Sequence, residues 1–126
     1  MFRALRPVGE PEPGPSAIAA WEIPHGFDRV WYNSGTSALA AVLSDIAARS
    51  NATMPEVLLP AYTCPDVLSA VEFARAKAVL VDLQPGRPWM AIDELERSVS
   101  EQSVAIVGVD FQGIPERIPL LRDVAN

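Results

Sequence analysis

Apolar positions along this chain follow two spacings, and each spacing predicts its own kind of element. Between residues 35 and 49 the apolar side chains recur at i, i+3, i+4 and i+7, which places them on one face of an α-helix. Other apolar runs are short and uninterrupted, at residues 29–33, 56–59, 77–81 and 104–109. Runs of this kind are typical of strands that are buried on both faces.

A helical segment follows each of these predicted strands. The second helix is predicted to begin at Pro65 and the last at Pro119, since proline is favoured in the first helical turn. The third is marked by apolar residues between Ile92 and Val99. Strands that alternate with helices in this way predict an α/β fold with a mostly parallel sheet, covered by helices on both faces.

The first 28 residues have a different composition. Four of the twelve prolines and two of the seven glycines lie within residues 1–16, a segment too poor in apolar surface to offset the entropy of ordering it. The pattern at residues 16–22 favours a short helix that ends before Pro24. We therefore expect residues 1–28 to form a partly disordered N-terminal arm and residues 29–126 to form one α/β domain.

Charge, hydropathy and cysteine content limit the functions and the cellular locations that this chain could have. The net charge of −6 argues against a sequence-independent nucleic-acid binder, because such a protein needs clustered Lys and Arg. No apolar run is long enough to span a bilayer and no signal peptide is visible, so a cytoplasmic protein without membrane contact is expected. Cys64 is the only cysteine and suits a reducing compartment. Lys77 is the only lysine, so any reaction that needs one has a single candidate.

The turn between the first apolar run and its helix is a candidate binding site. Ser34 is in the N-cap position, and the next three residues are small enough for a ligand to approach the backbone. The first amides of a helix have no internal partner and lie at the positive end of its dipole, so phosphate can bind there. An ordinary capped helix without a ligand is the alternative, and these residues alone leave both readings open.

Five segments resemble motifs of one enzyme family, in the family's order and spacing. Residues 33–39 (NSGTSAL) resemble the N/S-G-T-x-A-L turn of fold-type I pyridoxal-phosphate (PLP) enzymes, and residues 57–64 resemble their V-x-x-P-x-x-T-aromatic segment. Residues 77–83, 92–96 and 107–115 resemble the later blocks P-V-F-V-D-V, I-D-x-x-x-L-E and H-x-Y-G-x-P. Together they resemble the DegT/StrS-type sugar aminotransferases, from about residue 30 onward.

The resemblance implies that this chain is part of the large domain of a PLP-dependent transferase. The backbone amides of Thr36 and Ser37 would hold the cofactor phosphate. Cys64 stands where the family usually has an aromatic residue against the pyridine ring, and Tyr62 is the alternative ring contact. Asp110 stands where the family often has histidine and would line the site. The predicted cofactor-binding residues are Ser34, Gly35, Thr36, Ser37, Tyr62, Thr63, Cys64 and Asp110. No catalytic or metal-binding residue is predicted.

Two residues that the family needs for catalysis have no counterpart in this sequence. The family's aspartate at the pyridine nitrogen and its Schiff-base lysine both follow the block at Gly113. Lys77 precedes a buried strand, on the side away from the binding edge, so it cannot replace that lysine. We therefore expect residues 29–126 to form an incomplete, truncated PLP-binding domain that is inactive and binds PLP weakly or not at all. The strand at 29–33 would lack its usual neighbours, which predicts rearrangement or association of the isolated chain.

Three functions fit the sequence. The first is part of an aminotransferase that moves an amino group from a donor such as glutamate to a nucleotide-linked keto-sugar, in a family that works as homodimers. The second is a non-catalytic α/β module that binds a phosphorylated small molecule at the turn after residue 33. The third is a truncated relative that acts only in assembly.

Overall fold

Three parallel strands form the sheet of this protein in a computed structural model that describes Gly26 and residues 30–126. The strands are β1 (Glu56–Pro60), β2 (Lys77–Val81) and β3 (Ser103–Ile106). Their order is β2-β1-β3, so β1 is central and pairs on both sides. The predicted arm at residues 1–28 lies outside the described residues, apart from Gly26, and so does its short helix.

Four helices pack against this sheet: α1 (Gly35–Arg49), α2 (Pro65–Phe73), α3 (Ile92–Ser98) and α4 (Ile118–Ala125). Three of them begin at the predicted residue, and α4 begins one residue earlier than predicted. Proline lies in the first turn of α2 and of α4, where its missing N–H costs no helical hydrogen bond. The predicted α/β fold with a parallel sheet is confirmed.

Alternate side chains of the central strand enter two separate cores. Val57 packs on one face with Leu43 of α1 and Val71 of α2. Leu58 packs on the other face with Leu121 of α4 and the apolar side of α3. Burying an aliphatic side chain of this size contributes about 1.5–3 kcal/mol. The sheet is therefore covered on both faces, as its uninterrupted apolar runs predict.

The strand predicted at residues 29–33 is wrong for the part that the structure describes. Residues 30–32 have no regular secondary structure, and no strand among the described residues lies beside them. Val30 and Trp31 are 70% and 68% exposed. A segment becomes a strand only when a neighbour pairs with its backbone N–H and C=O groups, and apolar composition alone does not supply that neighbour.

The last strand is shorter than the predicted run at residues 104–109. The Val107 amide still donates to the Leu58 carbonyl at 2.8 Å. The next bond of this parallel ladder would need an N–H on Pro60, and proline has none. Because the ladder stops there, β3 ends at Ile106 and residues 107–110 leave the sheet.

Candidate functional site

Helix α1 begins at a capped turn. Ser34 has an extended backbone (φ −156°, ψ 162°), and its hydroxyl oxygen accepts a hydrogen bond from the Ser37 amide at 3.1 Å. The hydroxyl oxygens of these two serines lie 3.0 Å apart. The Ala38 amide donates to the Ser34 carbonyl at 3.1 Å, which is the first bond of the helical ladder. Ser34 is therefore the N-cap, as predicted.

The amides of Gly35 and Thr36 are among those at this helix end that have no backbone acceptor within the helix. The first turn of α1 carries no acidic side chain, so no carboxylate of the helix itself neutralises the positive end of its dipole. A Cβ added at Gly35 would meet nothing within 4 Å, so the described residues leave space on the Cβ side of this position. The resemblance implies Thr36 and Ser37 as phosphate donors, but the Ser37 amide is already bonded to Ser34, which leaves Gly35 beside Thr36.

An open groove of about 400 Å³ adjoins the turn, between α1 and α2. Thr36 and Ser37 line it from α1, and Ser69 lines it from α2. Tyr32 and Phe73 flank it with aromatic rings, and their side chains are largely exposed. The groove has the volume of a small-ligand site.

The segment after β1 brings Tyr62, Thr63 and Cys64 to the carboxyl edge of the sheet. The Thr63 hydroxyl oxygen is buried and has no hydrogen-bond partner among the described residues. A buried hydroxyl without a partner costs about 1–3 kcal/mol, which a polar ligand atom would recover. Cys64 is exposed, immediately precedes α2, and makes no side-chain capping bond.

The ring of Tyr62 contacts the ring of Phe111 edge to face. The ring centroids are 5.3 Å apart and the ring planes are inclined by 69°. Phe111 opens a two-residue turn in which its amide and carbonyl both bond to Ile114, at 3.1 and 2.8 Å. The two central residues, Gln112 and Gly113, have positive φ values of 49° and 81°, as a tight turn of this hand requires. We call Tyr62 and Phe111 the aromatic wall.

Asp110 holds the loop that follows β3. Its carboxylate Oδ1 accepts a hydrogen bond from the Glu116 amide at 2.8 Å, although the residue as a whole is exposed. This bond closes residues 110–116 into a compact loop. Asp110 therefore stabilises the loop that carries Phe111, and no hydrogen bond of its carboxylate reaches the α1 turn.

A buried carboxylate behind this loop, that of Glu116, was missed by sequence reasoning. Its side chain is 1% exposed and accepts hydrogen bonds from the Met90 amide at 3.0 Å and the Arg117 amide at 2.7 Å. No signal in the sequence marks it, because glutamate is almost always exposed and neither spacing nor composition reveals burial.

The predicted site residues fall into two groups. The α1 turn faces α2 across the groove, whereas Tyr62 contacts Phe111. No hydrogen bond or ring contact among the described residues joins the two groups. Helix α2 connects them, since Ser69 in the groove follows Cys64 by five residues, or about 7.5 Å along the helix.

The only lysine of the chain lies at the amino edge of the sheet. Lys77 is the first residue of β2, and its Nζ donates to Glu56 Oε1 at 2.7 Å. The other carboxylate oxygen of Glu56 accepts from the Ser100 hydroxyl at 2.7 Å. A strand of five residues, about 13 Å between its end residues, separates Lys77 from the carboxyl edge. The location inferred for Lys77 is confirmed.

The residues present fit two parts of PLP. The Gly35 and Thr36 amides, at a helix end without carboxylates, suit a phosphate group. The buried Thr63 hydroxyl is a polar group that lacks a partner. The described residues offer no amine for the aldehyde of PLP, since their only lysine, Lys77, is paired with Glu56 at the opposite edge of the sheet.

A parallel α/β unit with a capped, carboxylate-free helix N-terminus is compatible with phosphate binding, although it does not by itself define a phosphate site. The sequence profile of the DegT/DnrJ/EryC1/StrS aminotransferase family matches residues 29–126. The chain belongs to this family. A comparison with the curated proteins gave no match.

Solved structures of two sugar aminotransferases are similar to this chain. One is Spr1654 from Streptococcus pneumoniae, assigned as a sugar aminotransferase and solved in PLP, PMP and apo forms. It has 29% identity and a TM-score of 0.64, over 71% of this chain and 22% of Spr1654. The other is CalS13 from Micromonospora echinospora, with 29% identity and a TM-score of 0.63, over 71% of this chain and 24% of CalS13.

The chain therefore spans less than a quarter of the length of these relatives. Within residues 30–126, no three potential metal ligands of the His, Cys, Asp and Glu type come together. No helix in this same part of the chain is both long and apolar enough to cross a membrane.

Proposed function

We propose that this chain contributes the phosphate-binding and ring-binding part of a PLP site in a sugar aminotransferase. The observation that carries the proposal is the pair of available amides, Gly35 and Thr36, at a carboxylate-free helix end in a family of aminotransferases. The substrates of the whole enzyme would be an amino donor and a keto-sugar linked to a nucleotide. The enzyme would work as a cytoplasmic homodimer.

Each part of the site would do one task. The amides of Gly35 and Thr36 donate to the phosphate, and the Ser34 and Ser37 hydroxyls hold the turn in shape. The Thr63 hydroxyl donates to a polar atom of the ligand, and Cys64 supplies a polarizable contact to the ring. Bound PLP would supply the electron sink that amino transfer requires.

Residues 30–126 supply no amine at this site, because Lys77 is held at the opposite edge of the sheet. In this proposal the described residues bind and orient the cofactor, and they do not carry the proton transfers of the reaction. Without an amine to form a covalent bond with PLP, the site should hold PLP only by contacts to its phosphate and its ring. Weak binding is therefore expected.

Alkylation of Cys64 tests the proposal, since this is the only thiol and it lies at the proposed ring position. The probe is 4-deoxypyridoxine 5′-phosphate, which has the ring and phosphate of PLP but no aldehyde to react with lysine or cysteine. At ten times its Kd it should slow iodoacetamide labelling of the full chain about 11-fold, because only free protein reacts. Intact-mass spectrometry follows the label.

A matched pair of variants links the protection to the α1 turn. Gly35→Pro removes one amide at the helical position that proline favours, and the extended Ser34 before it tolerates proline. Gly35→Ala keeps the amide and meets no neighbour. Protection should be lost in the first variant and kept in the second. Equal labelling of the wild-type chain with and without the probe would contradict the proposal, and equal protection by inorganic phosphate would favour a general phosphate-binding module.

A further inference from the structure

We propose that Glu116 is a positioning residue that fixes the aromatic wall of Tyr62 and Phe111 beside Cys64. The inference deepens the proposed function and rests on it for the ligand. It assigns a role to a carboxylate that neither the sequence motifs nor the family resemblance includes. Three observations support it: the burial of Glu116, the two loops that it joins, and the path from it to Phe111.

Each oxygen of the Glu116 carboxylate accepts a hydrogen bond, and the side chain is only 1% exposed. Oε2 accepts from the Met90 amide at 3.0 Å, and Oε1 accepts from the Arg117 amide at 2.7 Å. Arg117 Nε lies 3.6 Å from Oε1 and supplies a positive charge. A buried carboxylate persists only when it is paired and hydrogen-bonded in this way, so its loss would leave several donors unsatisfied.

These bonds join two loops that follow different strands. Met90 belongs to the loop between β2 and α3, whereas Glu116 and Arg117 belong to the loop between β3 and α4. Arg117 Nη2 donates to the Met90 carbonyl at 2.6 Å, so Met90 is held through both of its backbone groups. The Trp89 ring lies 5.0 Å under the Arg117 guanidinium, and its Nε1 donates to the Pro115 carbonyl at 3.0 Å.

A short path leads from Glu116 to the aromatic wall. The Glu116 amide donates to Asp110, the residue directly before Phe111. Phe111 is the first residue of the tight turn, and its ring centroid lies 5.3 Å from that of Tyr62. On the other side of the loop, Gly108 packs closely against α4, since a Cβ there would lie 2.8 Å from the Ile118 Cδ1 and would also contact the Glu116 Cγ at 3.4 Å. The position of Phe111 is therefore set by the loop that Glu116 anchors.

Glu116→Gln tests the proposal with almost no change of volume. The amide nitrogen of Gln would face a backbone N–H in place of an acceptor oxygen, and Arg117 would lose its counter-charge. The control is Glu94→Gln, which removes an exposed carboxylate that also binds an arginine, Arg97, at 2.6 Å. If Glu116→Gln does not fold, the double variant Glu116→Gln with Arg117→Met removes both charges and takes its place.

Two readouts separate positioning from general stability. The first is the nuclear Overhauser effect between the Tyr62 and Phe111 ring protons, which needs no ligand. The second is the Kd for 4-deoxypyridoxine 5′-phosphate from Cys64 protection. Glu116→Gln should weaken the first and raise the second about tenfold, a loss of the size seen when an outer hydrogen-bond partner of a site is removed. Glu94→Gln should change neither.

The outcomes are distinguishable from a failure of the proposed function. A wild-type chain that does not bind the probe contradicts the proposed function, and the positioning role of Glu116 is then decided by the ring contact alone. A folded Glu116→Gln variant that keeps both the Tyr62–Phe111 contact and the wild-type Kd overturns the positioning role. Loss of the ring contact in the Glu94→Gln control would also overturn it, because the effect would then not be specific to Glu116.

Discussion

Glu56 and Lys77 form an ion pair that closes the amino edge of the sheet. The Lys77 Nζ lies 2.7 Å from Glu56 Oε1, and the Glu56 side chain is 12% exposed. The hydrogen bonds from Lys77 and Ser100 lower the pKa of Glu56 below its ordinary value of 4.5. The only lysine of the chain thus joins the first residues of β1 and β2 and is remote from the proposed cofactor site.

The Glu56–Lys77 pair should stabilise the folded chain at neutral pH and lose this effect in acid. Because the pKa of Glu56 is lower in the folded chain, its contribution is present above its ordinary pKa and is lost as the pH falls through the folded value. Glu56→Gln should therefore lower the free energy of unfolding at pH 7 by up to about 1 kcal/mol, and have no such effect near pH 2.

Urea unfolding at both pH values measures this difference. Glu96→Gln, on an exposed position of α3 without an ion pair, is the control and should be neutral at both. An equal loss for Glu56→Gln at pH 7 and near pH 2 would contradict the role of its charge.

The resemblance implies that Asp110 lines the site, but its hydrogen bond depends on the burial of Glu116, which the sequence does not reveal. The Asp110 carboxylate binds the Glu116 amide six residues ahead. That bond requires the positive φ values of Gln112 and Gly113 and the burial of Glu116. Residue types at 110–116 reveal the turn but not the burial, so the loop's role in holding Phe111 could not be predicted.

Among the elements, α1 was predicted to the residue because its signals are local. A serine in the cap position and an apolar stripe of helical period both lie within the segment itself. By contrast, the structure of residues 30–33 and the length of β3 depend on which strands lie beside them. The first has no neighbouring strand among the described residues, and the second ends because the adjacent Pro60 cannot donate a hydrogen bond.

The contribution of the α1 N-cap to stability can be measured with a single substitution. Ser34→Ala removes the acceptor of the Ser37 amide and should lower the free energy of unfolding by about 0.5–2 kcal/mol. Ser44→Ala is the matched control, since the Ser44 hydroxyl bonds back to the Ala40 carbonyl within the same helix. It should be close to neutral because alanine is the better helix former.

Chemical denaturation of both variants compares the two serines directly. A loss for Ser44→Ala as large as that for Ser34→Ala would mean that the hydroxyl at the helix start has no special role.

For the whole molecule, the three-layer arrangement could be predicted because each strand contains an uninterrupted apolar run after its first residue. What could not be predicted is which predicted strands pair with one another. The sheet has β2 and β3 at its edges, each with one side unpaired among the described residues. Exposed strand edges favour pairing with another chain, so association of this chain stays a prediction. The chain also spans less than a quarter of its solved relatives, which leaves the activity of a whole enzyme a proposal.

The most direct test of the proposed cofactor site is a 1H–15N NMR titration of the full chain with 4-deoxypyridoxine 5′-phosphate. The amide resonances of Gly35 and Thr36 should shift most and should saturate, because these two donors have no acceptor within the helix. Phosphate-free 4-deoxypyridoxine should leave them in place. Shifts confined to other residues, or equal shifts with the phosphate-free compound, would contradict a phosphate site at the start of α1.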